Sequence, residues 1–172
     1  MRILAIDPGP DRSGVVALRA EPGEWPPRVE AAHAEIETQT IVDWIKLEET
    51  RCVVCEWLTS YGAAVGASVL DTAKIVGHFE RTAIDQMADF GLLTRPDVGL
   101  ELCESRRAKK SQTAEAIRGL YPATGGGKRP VVGTKKAPGP LYGVKGHAWD
   151  ALAVGLAWLR IERRGAQGVD NG

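Results

Sequence analysis

Ile3-Leu4-Ala5-Ile6-Asp7-Pro8-Gly9 lies almost at the start of the chain, and the fold is read from it. Four apolar residues in succession, two of them Ile, predict a strand buried on both faces. The run ends in a carboxylate, and Pro8 and Gly9 break the strand directly after it. Asp7 is thereby predicted at the tip of a central strand, where a rigid element aims it. Ser13-Gly14-Val15-Val16-Ala17-Leu18 follows after a short turn, and two apolar runs this close predict a hairpin. A solvated Asp closing a strand is common, so Asp7 acquires weight only from the rest of the chain.

Working outward, residues 28–36 read as a third strand after a Pro/Gly-rich turn at 22–27. Thr38 or Thr40 caps a helix running to Glu49, with Ile41, Trp44, Ile45 and Leu47 on its inner side. Arg51-Cys52-Val53-Val54-Cys55-Glu56 is the next buried strand. Like the first, it is an apolar run ending in a carboxylate. After a loop at 57–62, residues 63–90 predict one long helix, with Val65, Val69, Ala73, Val76, Phe79, Ala83 and Met87 at helical spacing. Its small residues allow close approach by another backbone, either a second subunit or the chain's own sheet. Residues 99–103 read as the fifth strand, with Pro96 before it, and Ser111 caps a helix to Leu120 that Pro122 stops. Residues 123–146 form a long basic loop rich in Gly and Pro, of the kind that is functional or disordered. The last helix is predicted from His147 to about Arg163. Residues 1–163 are thus expected to be one domain, and 164–172 a flexible tail.

A chain of 172 residues is long enough for one domain with a sizeable core. No apolar run reaches the ~20 residues that span a bilayer, and no leader precedes the first strand, so a cytoplasmic location is expected. Three cysteines do not suggest a disulfide framework. Cys52 and Cys55 are three apart on a predicted strand, hence on opposite faces, and no second pair exists to complete a zinc site. The formal net charge is zero but unevenly spread. Residues 106–145 hold ten Lys/Arg and one acid, a net of +9, while the remainder holds 12 bases and 21 acids. Arg106, Arg107, Lys109, Lys110, Lys128, Arg129, Lys135, Lys136 and Lys145 are therefore candidate phosphate contacts, against the alternative of an ordinary solvated face.

His147-Ala148-Trp149-Asp150-Ala151-Leu152-Ala153 opens the final helix. His147 and Asp150 are three apart and share a helical face. Asp150 stands in an apolar run, where a carboxylate needs a partner. The candidate set is Asp7 and Glu56 at two strand ends with His147 and Asp150 on the helix. Oxygen ligands with one imidazole suit Mg²⁺ or Mn²⁺, two of which can drive phosphodiester hydrolysis.

Ile6-Asp7-Pro8-Gly9, Cys55-Glu56 and His147-Ala148-Trp149-Asp150-Ala151-Leu152-Ala153-Val154, in this order, make the chain resemble the RuvC-type Holliday junction resolvases of the ribonuclease H-like superfamily, with a phage-type branch as one placement. The resemblance covers about residues 1–160. It implies an α/β fold with a ribonuclease H-like five-stranded mixed sheet flanked by helices. It implies Asp7, Glu56, His147 and Asp150 as ligands of two Mg²⁺ or Mn²⁺ ions, and a homodimer that cuts four-way junction or other branched DNA in recombination and repair. In that family an aromatic shortly after the glutamate probes the junction centre. Here Trp57 is adjacent to it and Tyr61 five residues on, so the position falls to one of these two. The basic loop is longer than the family's. A ribonuclease H-like nuclease acting on branched DNA or RNA, and a non-catalytic junction-binding protein, are the competing expectations.

Overall fold

The structure is a computed structural model that describes residues 1–47, 49–59 and 66–169, without the side chains of 166–169. Five strands are β1 (Arg2–Asp7), β2 (Arg12–Arg19), β3 (Arg28–Glu37), β4 (Thr50–Trp57) and β5 (Asp89–Thr94). They form one sheet in the order β3-β2-β1-β4-β5. β1, β2 and β3 are antiparallel neighbours, whereas β4 runs parallel to both β1 and β5. The helices are α1 (Thr38–Ile45), α2 (Ala67–Asp85), α3 (Arg95–Cys103), α4 (Lys110–Leu120) and α5 (Ala148–Val169). This is the α/β architecture expected above, a five-stranded mixed sheet flanked by helices.

Strand alternation splits the core in two. Ile3, Ala5, Val16, Leu18, Cys52 and Val54 pack with α5, α3 and α4 on one face. Leu4, Ile6, Val15, Ala17, Val53 and Cys55 pack with α1 and α2 on the other. The two cysteines of the C-x-x-C therefore lie in different layers. Burial raises both thiols, Cys52 to about 12 and Cys55 further, which leaves them inert. Gly155 sets how closely α5 lies on the sheet: a Cβ there would stand 2.8 Å from Ala5 Cβ and 2.7 Å from Leu18 Cδ1.

Several element boundaries differ from the sequence reading: α1 stops at Ile45, short of Glu49, with Glu37 at its N-cap, and α4 starts at Lys110 with Lys109, not Ser111, at its N-cap. The fifth strand is Asp89–Thr94, not 99–103, and the latter residues are helical. Thr94 and Asp97 form a capping box, with Pro96 in the first turn. That is a helix start, and Pro96 fits there because its missing N–H needs no partner. The long helix stops at Asp85, and Met87 turns the chain at φ 53° so that β5 can begin. The last helix continues to Val169, past the Arg163 end expected for it. Arg163 reaches Glu24 O at 3.0 Å and Arg164 reaches Glu101 Oε1 at 2.5 Å, which ties this turn to the body of the protein. Leu47, placed on the inner side of α1, is exposed.

Candidate metal centre

Alternation along β1 and β4 decides where their terminal acids face. Asp7 continues the set of Ile3 and Ala5, and Glu56 that of Cys52 and Val54, so both carboxylates fall on the α5 side of the sheet. The strands are parallel, with Ile6 beside Cys55. The next residue of each is an acid, which brings the pair to one edge. Opposite them α5 begins, the amide of Ala151 donating to His147 O at 3.0 Å. Gly14 makes room for this: a Cβ on it would meet the His147 backbone at 2.6 Å. The glycine therefore admits the His147 turn against β2.

His147 Nδ1 and Asp7 Oδ2 are 2.8 Å apart. Asp150 is buried in the first turn of α5. Arg95 Nη1 donates to its Oδ1 at 2.7 Å, and Lys110 Nζ to its Oδ2 at 2.6 Å. Asp7, His147 and Asp150 each offer a ligand atom within 4.8 Å of the others, the one such group among the described residues. Glu56 stands beside this trio rather than within it. Its carboxyl is pushed up to about 7, first by burial and then by the charge of Asp7, with Arg95 partly offsetting and Asp150 adding. Burial likewise holds Asp7 above its ordinary value, against the hydrogen bond from His147. A half-enclosed group of acids that resist joint ionisation, with an imidazole among them, is the donor set a hard divalent cation satisfies.

A cleft of about 130 Å³ opens beside the acids, lined by Asp7, Pro8, Glu56, Trp57, Leu58 and Thr59. Trp57 is partly exposed at its rim. Tyr61 lies outside the described residues. The basic residues divide. Lys110 reaches the centre itself, on Asp150. Arg106 pairs with Asp97 at 2.8 Å. Arg107, Lys109, Lys128, Arg129, Lys135, Lys136 and Lys145 are exposed, and none of them pairs with a carboxylate among the described residues. The loop bearing the last five is folded. Gly125 N donates to Pro130 O, Gly126 N to Ala137 O, Gly139 N to Val132 O and Leu141 N to Val131 O, all within 2.8–3.0 Å. Leu141 and Val144 anchor its base in the core.

Sequence reasoning missed Arg95 and Gly14. The Thr94-Arg95-Pro96-Asp97 capping box was the available signal for the first, since it starts a helix at the residue that meets Asp150. Nothing in the sequence marked the second, because its partner is 133 positions away in the chain.

No family model matches the chain, and neither does any curated protein. Among solved structures, it is similar to Thermus thermophilus RuvC, with 20% identity and a TM-score of 0.66 over 96% of this chain and 97% of that one. It is also similar to T. thermophilus RuvC in complex with a Holliday junction substrate, with 18% identity and a TM-score of 0.63 over the same shares. At this identity the likeness is one of fold.

Proposed function

We propose that the protein is a metal-dependent, structure-selective DNA endonuclease that resolves four-way junctions by phosphodiester hydrolysis. The observation that carries this reading is the convergence of Asp7, His147 and Asp150, with Glu56 beside them, at the shared edge of β1 and β4. The fold match to a RuvC bound to a Holliday junction supports the substrate class. Asp7, His147 and Asp150, with Glu56 beside them, would hold two Mg²⁺ or Mn²⁺ ions. Such ions supply Lewis acidity at the phosphodiester and activate water.

The chain's own groups do the rest. The His147–Asp7 contact orients both side chains. Without metal Glu56 keeps its proton to about pH 7, and a bound cation would favour the ionised form that ligates it. The unpaired cationic side chains of residues 107–145 carry the arms, and Trp57 at the rim, or Tyr61, stacks on bases exposed at the branch point. Residues 1–163 form the nuclease domain, two copies act as a homodimer, and the setting is cytoplasmic.

The test is cleavage of labelled four-way, three-way, linear duplex and RNA–DNA substrates with Mg²⁺ or Mn²⁺. Paired symmetric cuts confined to the four-way junction are expected, and they should vanish in Asp7→Asn while junction binding persists. Equal cutting of linear duplex would overturn the structure selectivity. Preferential cutting of RNA–DNA would make the protein a ribonuclease instead.

A further inference from the structure

Asp150 has a cation on each oxygen, and the two cations are unlike. The Arg95 side chain is 19% exposed and that of Lys110 is 71% exposed, around an Asp150 side chain at 10%. Arg95 stands at the first position of α3, where the Thr94–Asp97 capping box fixes its backbone. Its Nη2 is buried with no hydrogen-bond partner among the described residues. An unpaired buried N–H is unfavourable, so the guanidinium is held in place by Asp150 and not by a full set of donors and acceptors. Lys110, by contrast, extends through solvent from the start of α4 and touches Asp150 only at its tip. An exposed ammonium of this kind exchanges its partner at little free-energy cost.

We infer that the two cations have opposite tasks: Arg95 is a positioning residue that keeps Oδ1 and aims the carboxylate, whereas Lys110 is a place-holder on Oδ2 that an arriving divalent ion displaces. Oδ2 is then the atom Asp150 gives to the metal. The released ammonium lies at a cleft of about 270 Å³ lined also by Ser111, Thr113, Gly146 and Trp149. There a backbone phosphate supplies it with a new anion. Metal loading and substrate binding are thereby linked through one side chain. Arg95 acts on the metal only through Asp150, as hydrogen-bond partners of ligating carboxylates do.

This rests on the metal-centre reading above, and the two fail differently. Mn²⁺ binding to the DNA-free protein is measured by calorimetry, with thermal unfolding as a check on folding. Bare electrostatics makes removal of either cation tighten Mn²⁺ binding. Opposite tasks require opposite signs. Lys110→Met should tighten binding several-fold, and Arg95→Met should weaken it by about 10–100-fold, the range for lost partners of metal ligands. Arg95→Lys keeps the charge but not the planar fork, so it should fall between wild type and Arg95→Met. It also carries the test if the Met variant does not fold. Shifts of the same sign in the two Met variants, or an Arg95→Lys variant as tight as wild type, would overturn the assignment and leave the metal centre standing. Absence of Mn²⁺ binding by the wild type would overturn both.

Discussion

Glu56 holds its proton to about pH 7 because burial and the neighbouring Asp7 both penalise its charge. Its value in the folded state lies above the ordinary 4.5, so the folded protein binds this proton more tightly than the unfolded chain does. The stability it contributes is full below pH 4.5 and is lost as pH rises through about 7. Each tenfold difference in proton affinity between the folded and unfolded chain corresponds to ~1.4 kcal/mol, so Glu56→Gln should gain on the order of 3 kcal/mol on the wild type between pH 4.5 and 8 in the absence of metal. Urea unfolding of both proteins across that range gives the difference. A difference that stays constant with pH would mean that the carboxylate is solvated. The dependence should shrink when Mn²⁺ is present, because a bound cation favours the ionised form.

At the scale of elements, α2 is the helix whose outer face is unaccounted for. Val76, Phe79 and Ala83 are enclosed by the protein's own sheet, so none of them is available to a second subunit. The exposed side instead presents Leu70, Gly77 and Ile84 at seven-residue intervals, Leu70 at 54% and Ile84 at 56% exposure. Among the described residues, a Cβ at Gly77 would meet nothing within 4 Å, so the helix backbone is open to approach there. If two copies join along this stripe, Ile84→Glu places a charge in a desolvated contact and should weaken the dimer at least tenfold, on the order of a small hot spot. Sedimentation velocity at micromolar concentration reads this. A variant that dimerises like the wild type would place the interface elsewhere. The 123–146 loop makes the complementary point, since its internal backbone bonds present its bases on an ordered frame.

Across the whole molecule, a net of +9 over residues 106–145 offsets the acids gathered at the strand ends and elsewhere. Without that offset, a centre built of carboxylates would repel a polyanion. Phosphate contacts release counterions, so junction affinity should fall with salt at a slope of about −0.9 per contact. Replacing Lys135 and Lys136 together with Ala should flatten the slope by about two units and weaken binding equally for arms of different sequence, because such contacts carry little base information. Fluorescence anisotropy of a labelled junction across a salt series measures both effects. An unchanged slope would mean that the loop points away from the DNA.

What the sequence determined by itself was set by local rules. Apolar runs of strand length ending in Asp7 and Glu56, and a polar pair three apart at the head of an apolar helix, are legible because burial and periodicity act on neighbours in the chain. The same rules predict β1 to β4, α4 and most of α5. They fail at residues 86–103, where Pro96 reads as the break before a strand although the capping box around it starts α3. Tertiary structure alone decided the rest. The parallel register of β1 on β4 put Asp7 and Glu56 at one edge, and the approach of α5 past Gly14 put His147 on Asp7. Arg95 and Lys110 came to Asp150 from 55 and 40 residues away. These contacts depend on how closely helices can settle on a sheet. That is fixed by side chains distant in sequence, so no single stretch of the chain encodes it.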